Sequence, residues 1–217
     1  MIGVYVTVPA ACFRKGLARE YLESETIPPP ATCYGFLLSL VGETDRLKHT
    51  GVRVTPMLFN EPETSVVLRT MWRVKKQPLG SPGNTRPDYQ QILTGIELII
   101  WLDSSEDSSQ DNPLEKRVQA ALDPHTRNKI QRFGGLSLGE STHLVDQVSL
   151  YGEKLKEGLR PSKIRLYKLN DQGLLGLPVW VDHVGSAGTV HVVGDLVEIS
   201  EIRPPEIAEM PRIQSTR

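Results

Sequence analysis

The chain has 217 residues, 39% of them hydrophobic and 24% charged, with a formal net charge of −1. That length suits one generous domain or one domain with a smaller appendage. The near-neutral balance excludes a globally basic nucleic-acid binder, so any polyanion site has to come from local clustering. Cys12 and Cys33 are the only cysteines, without CxxC spacing, and no His/Cys cluster has zinc-site spacing. No apolar run approaches the ~20 residues that span a bilayer, and the first residues carry no basic export region. The expectation is a cytoplasmic protein with no metal, no cofactor and no membrane partner.

In chain order, Ile2 to Val8 alternates apolar and other residues, which predicts a half-buried strand ended by Pro9. A polar segment runs from Phe13 to Thr26. Pro28-Pro29-Pro30 sets up a helix over 31–41, with Phe36, Leu37, Leu40 and Val41 at helical spacing and Gly42 as its stop. Segments 52–59 and 65–74 read as two strands joined through Asn60-Glu61-Pro62-Glu63 into a hairpin. Residues 77–87 hold three prolines and two glycines and read as an excursion from the core. Segment 95–102 is a strongly apolar strand. Segment 103–112, acidic and serine-rich, reads as a mobile surface loop. A second helix is expected over 113–122. Short β-like pieces follow at 145–151, 164–169, 174–184 and 189–199, then a proline-dotted tail from 203 to 217 that reads as flexible. With the excursion set aside as an insertion, the order is β-α-β-β-α-β, the ferredoxin-like unit of RNA-recognition domains.

Two stretches could carry chemistry. The run Arg132-Phe133-Gly134-Gly135-Leu136-Ser137-Leu138-Gly139-Glu140-Ser141 combines glycines that tolerate φ > 0 with hydroxyls and a cation. It reads either as an N–H-lined site for phosphate or as a tight turn tied to a core by Phe133, Leu136 and Leu138. Basic residues precede it: no acid lies between His125 and Gly139, an interval that holds Arg127, Lys129 and Arg132. No acid lies between Glu63 and Asp88 either, and that interval holds Arg69, Arg73, Lys75, Lys76 and Arg86, with Trp72 and Tyr89 alongside. On a strand Arg69, Met71 and Arg73 share a face, opposite Thr70 and Trp72. This cluster reads either as a nucleic-acid contact with an aromatic for base stacking or as a solvated basic hairpin with Trp72 in the core. A third group, Arg14, Lys15 and Arg19, is diluted by Glu20, Glu23 and Glu25 and favours an ordinary charged surface. There is no G-x-S-x-G, P-loop or HExxH motif, and His143, near Ser141 and Asp146, reads as a surface or capping residue. No catalytic residue is singled out.

Phe13-Arg14, the block from Pro28-Pro29-Pro30-Ala31-Thr32-Cys33-Tyr34-Gly35-Phe36 through Leu37-Leu38-Ser39-Leu40-Val41-Gly42, the segment Arg86-Pro87-Asp88-Tyr89-Gln90 and the 132–141 run together resemble the Cas-five family. These are RAMP-superfamily subunits of type I CRISPR Cascade complexes, and the likeness spans most of residues 1–150. The resemblance implies an α+β protein: a ferredoxin-like (RRM-type) RAMP core over 1–150 with an inserted β-hairpin thumb near 74–90, a β-rich C-terminal part over 151–202 and a flexible tail over 203–217. It implies a subunit that caps the 5′ handle of the crRNA, contacts the backbone subunit and the large PAM-reading subunit, and meets target DNA indirectly or near the PAM. The RNA-binding residues are then Arg14, Arg69, Trp72, Arg73, Lys75, Lys76, Arg86, Tyr89, Arg132, Gly134, Gly135, Ser137 and Gly139. Some members process precursor RNA. Their catalytic set does not align here, so the expectation is a non-catalytic subunit, with a metal-independent endoribonuclease that cuts CRISPR repeat RNA as the alternative and an unrelated protein-binding scaffold as a third. Defence and transposon targeting are not distinguished.

Overall fold

A computed structural model describes residues 1–16, 18, 21–72, 78, 80–184 and 186–216, with backbone alone at 71, 72, 82, 86, 153 and 154. The first strand, β1 (Ile2–Ala11), sends Val4, Val6 and Val8 into one core and Tyr5 into another. That follows from the two-residue period of a strand buried on both faces. Beside it lies β5 (Thr85–Asp103), whose C-terminal half repeats the pattern: Leu98, Ile100 and Leu102 on one side, Ile99 and Trp101 on the other. The remaining strands are β2 (Tyr21–Leu22), β3 (Arg53–Leu58), β4 (Glu63–Trp72), β6 (Gln147–Leu150), β7 (Ile164–Leu169), β8 (Leu175–Trp180) and β9 (Val190–Ile199). All nine form one sheet in the order β6-β1-β5-β3-β7-β9-β8, with β2 and β4 pairing β5 off that path. Every pairing is antiparallel except β2 with β5. The result is a mixed α/β architecture built on one large, mainly antiparallel sheet.

Helices α1 (Pro30–Leu40) and α2 (Leu114–Leu122) contribute to the core on the Val4/Leu98 face. The short α3 (Glu153–Gly158), which the sequence did not suggest, brings Leu155 to the smaller cluster around Trp101 on the other face. Gly42 stops α1 with φ +68°, and a Cβ there would lie 2.0 Å from the Gln131 carbonyl oxygen. Only glycine fits both the left-handed backbone and that close approach.

Four expectations are corrected. Strands β3 and β4 do not pair with each other; they lie end to end along β5, β3 against residues 98–103 and β4 against residues 85–94. The hairpin legs are therefore 63–72 and 85–94, so the projection starts well before residue 74. Residues 73–77 and 79, which fall within the expected thumb, lie outside the described set. Segment 103–112 is an ordered cap. Asp107 is 1% exposed and accepts hydrogen bonds from the N–H of Leu114 (2.7 Å) and Ser109 (2.8 Å), while Ser104 Oγ accepts from the N–H of Glu115 (3.1 Å). A run of acids and serines is what the exposed donors at a helix start require, so its polarity serves α2 rather than solvent. The tail is docked as well. Met210 and Ile213 are fully buried, the N–H of Ile213 bonds the Val52 carbonyl (2.8 Å), and that of Val54 bonds the Pro211 carbonyl (2.9 Å).

A buried polar chain joins these pieces. His49, fully buried, places Nδ1 3.0 Å from Asp107 Oδ2 and Nε2 2.9 Å from Arg117 Nη1. Arginine only donates, so Nε2 accepts and Nδ1–H donates to the carboxylate. Arg117 also bonds Glu43 and the Val41 carbonyl at the end of α1 (3.2 Å), and Lys48 Nζ lies 2.7 Å from Glu43. Burial pushes the Asp107 carboxyl up, but the bonds from His49, Leu114 and Ser109 outweigh it and hold it below its usual range. Burial acts on Glu43 in the same sense and is outweighed by Lys48, Arg117 and the Asp45 N–H, which hold it at about 2. A carboxyl lowered on folding stabilises the protein above its unfolded pKa, and that contribution is lost as pH falls toward the folded one. The denaturant midpoint should therefore fall between about pH 4.5 and pH 2, and Glu43→Gln should flatten that limb; an unchanged acid limb in the variant would refute the assignment.

Candidate nucleic-acid interface

The glycine-rich run folds into a tight hairpin. Ser137 bridges Leu144, the Leu138 N–H bonds the His143 carbonyl (3.1 Å), and the Val145 N–H bonds the Leu136 carbonyl (3.0 Å). Leu138 is fully buried and Leu136 packs on the core, but Phe133 is 102% exposed, so it does not tie the loop down. Gly139 has φ +100°, and a Cβ there would meet the Cys12 carbonyl oxygen at 2.9 Å, so glycine lets the loop lie against the end of β1. The amides of Gly134, Gly135, Ser137 and Gly139 make no hydrogen bond among the described residues.

His143 fixes the hairpin from below. It is 8% exposed, and its Nδ1 accepts from the N–H of Cys12 (3.2 Å) and of Glu140 (3.1 Å), which leaves the proton on Nε2. This is the capping role read from the sequence. Glu140 then ties the loop to the projecting hairpin: Oε2 lies 2.8 Å from Arg69 Nη1, Oε1 accepts from Gln90 Nε2 (2.9 Å), and Arg69 also bonds Gln90. Glu140 is the first acid after the acid-free interval, and it engages one of the cations that the sequence marks for phosphate.

The structure thus brings Arg69 to the 132–141 loop, but as an ion-paired group. Arg132 is exposed, has no carboxylate partner among the described residues, and shares a shallow recess with Gly134, Gly135, Asp146 and Gln147. Ser137 and Gly139 line a different recess, against Thr32, Gly35 and Ser39 of α1, with Arg46 and His183 at its rim. Arg46 lies 4.4 Å over the Trp180 ring and donates to the Val181 carbonyl (3.0 Å). Nothing local in the sequence marks Arg46 or His183, because the 44–47 turn and the 181–184 segment meet only through the fold. Arg14 bridges Ser24 and donates to the Ala18 carbonyl (3.0 Å). Tyr89 registers with Leu68 and with Tyr21, one position off the Arg69/Asp88 pair, so it lies on the opposite face of the hairpin from Arg69. Tyr21, Leu68 and Tyr89 are all exposed there. Trp72 registers with Thr85, and Arg86 with Met71, their side chains outside the described set; Arg73, Lys75 and Lys76 lie outside it entirely. Among the described residues no group of His, Cys, Asp and Glu could hold a metal, and no helix is long and apolar enough to cross a membrane.

This architecture is found among CRISPR-associated proteins. Over 90% of this chain and 89% of the other, it matches a solved chain titled "CRISPR RNA-guided surveillance complex" with TM-score 0.59 at 11% identity. It matches one titled "Crystal structure of Cas protein" over 97% and 98% with TM-score 0.52 at 12% identity. At those identities the likeness is one of fold. In sequence, 215 residues are 47% identical to the CRISPR-associated protein Cas5 of Myxococcus xanthus (strain DK1622), covering 98% of this chain and 97% of the relative. The chain belongs to the CRISPR-associated Cas5 family. A search of family models gave no match.

Burial pushes the His143 pKa down, opposed by the Glu140 charge and reinforced by Arg69. A histidine lowered on folding destabilises the fold as pH drops below its unfolded value, because protonating Nδ1 breaks two hydrogen bonds. The denaturant midpoint should decline as pH falls from about 6.5. His143→Gln, whose side-chain oxygen still accepts, should remove that slope, and a wild-type midpoint flat from pH 7 to 5 would contradict the tautomer.

Proposed function

We propose that the chain is a non-catalytic RNA-binding subunit of a CRISPR Cascade complex that caps and holds the 5′ handle of the crRNA. Its neighbours in this reading are a backbone subunit and the large PAM-reading subunit, with target DNA close by at the PAM. The observation that carries it is the loop at 132–141, where the unbonded amides of Gly134 and Gly135 share a recess with Arg132, which has no carboxylate partner among the described residues. Successive N–H groups with a neighbouring cation suit a phosphodiester, which needs both hydrogen-bond donors and charge neutralisation. Arg69 acts as a positioning residue, since Glu140 already neutralises it. Membership of the Cas5 family supports the assembly.

The ferredoxin-like reading of the core draws support from the strand order. Within β1-α1-β3-β5-α2-β6, the four strands lie as fourth, first, third, second, all antiparallel. The thumb is then the β4–β5 hairpin, and β7, β8 and β9 are the C-terminal extension of the same sheet. Two of the histidines are removed as candidate general bases, because His143 Nδ1 and both nitrogens of His49 are committed to structural bonds, which leaves His183 at the rim of the loop recess for the cleavage assay to test.

Purified full-length protein should bind single-stranded handle RNA with a steep salt dependence. Arg132→Ala should weaken it and reduce the magnitude of the slope by roughly 0.7, the share of one phosphate contact. Repeat RNA incubated with the protein in EDTA should stay intact. A discrete cut would establish the endoribonuclease instead, and an Arg132→Ala slope equal to wild type would remove the loop from the interface.

A further inference from the structure

The sheet ends at β6 on one side and β8 on the other, and β4 forms a further edge off that path. Edges take on additional strands unless they are short, irregular or interrupted by proline. β6 is four residues long. β8 carries Pro178 and a register shift between Pro178 and Trp180. β4 has none of these devices. It runs ten residues in unbroken register with β5 and has one sheet neighbour among the described residues. From Thr64 to Leu68 it carries no charge, proline or glycine. Val66, Val67 and Leu68 are 51%, 38% and 63% exposed, so the strand is open on both faces.

The outward N–H and C=O groups of such an edge are met by another extended backbone. Phosphate has little to hold there, because the only cation of β4, Arg69, is paired with Glu140 at 2.8 Å. The sequence of β4 fits its own copy. A two-fold axis perpendicular to the sheet sets two identical edges antiparallel and keeps each residue on its own face. Centred on Val67, it places Val67 opposite Val67 of the second copy, Val66 opposite Leu68, Ser65 opposite Arg69 and Thr64 opposite Thr70. Each apolar residue of the run then meets an apolar one and no like charges face each other, which is what cross-strand pairing rewards. A centre at Leu68 would set Arg69 against Val67. A centre at Val66 would set Leu68 against Thr64 and Val67 against Ser65, and its Glu63–Arg69 pairing would compete with Glu140. About Val67, the exposed row Tyr21, Tyr89 and Leu68 continues directly into Val66 of the second copy, and one uncharged surface spans both chains.

We propose that two copies of the chain join β4 to β4, antiparallel about a two-fold axis at Val67, and that this homodimer is the form of the protein on its own. The inference goes beyond the RNA-binding reading and does not rest on it. The contact is isologous: each copy occupies the other's open edge, so the assembly closes at two. A partner that uses β4 has to displace the second copy first.

Sedimentation of the purified full-length protein, without other subunits or RNA, tests it. The expected mass is twice the 24.2 kDa of the chain, falling to the single-chain value on dilution. Val67→Lys sets like charges opposite each other across the axis and should give the single-chain mass at every concentration. Its melting temperature should match wild type, because the side chain it replaces is exposed. Val67→Cys should link two copies through a disulfide under mild oxidation, since directly opposed Cα atoms lie about 4.5–5.5 Å apart, within disulfide reach. Ser65→Cys should not, because its two copies are offset by four residues, about 13 Å. Cys12 and Cys33 are buried, so wild type should form no such link. A wild type that stays a single chain throughout, a dimer that survives Val67→Lys, growth beyond two copies, or a disulfide from Ser65→Cys but not from Val67→Cys would each overturn the proposal.

Discussion

The architecture depends on one long strand. The 19 residues of β5 run from the sheet's interior out into the hairpin without a break. Its inner half is clamped between β1 and β3 with both faces buried, and its outer half carries β4 on one side and the short β2 on the other. Because the same hydrogen-bonded ladder continues outward, the hairpin inherits its direction from the core. The Glu140 carboxylate then braces its flank against the glycine-rich loop. The loop is held by His143, which is held in turn by the end of β1. The amides of this candidate interface are thus one or two contacts from the most deeply buried strands.

Near-neutral charge does not exclude the proposed polyanion binding, because Arg127, Lys129 and Arg132 have no carboxylate partner among the described residues. The acids are used as internal partners: Asp107 at the start of α2, Glu43 at the end of α1, Glu106 between Arg53 and Arg212. Those pairings consume negative charge where the fold needs it and leave the segment before the loop uncompensated. A total of −1 therefore says little about the field at a given face.

Much of the fold was legible in the sequence. The alternation from Ile2 to Val8, the triple proline and Gly42, and the spacing of Leu114, Val118 and Ala121 each mark an element by a local rule; the two helices form where expected, whereas the first strand does not end at Pro9 but runs through it to Ala11, still paired with β5. Strand β7 matches its expected span, and β8 and β9 lie within theirs. What local rules miss is partnership. Asn60 to Glu63 carries turn residues, yet β4 pairs with β5, because that pairing is chosen by the whole sheet. The acids of 103–112 look solvated until a helix start and a histidine are found to need them. The tail looked loose because Met210 and Ile213 are isolated apolar residues, and only the groove beside β3 gives them a place. At the site, the loop's glycines and Arg132 were readable as a cluster. Arg46 and Gln90 were not, since their roles come from contacts across more than 40 residues of chain.

Strand β4 has one sheet neighbour among the described residues, and along it Val66, Val67 and Leu68 are exposed in succession. An uncovered rim of this kind is a template on which further strands add, and chains usually blunt such a rim with charge or proline. Here the run has neither until Arg69, whose charge is already taken. Kept on its own at high concentration, the protein carries a built-in route to self-association, and whichever surface covers that rim also acts as its guard against clumping.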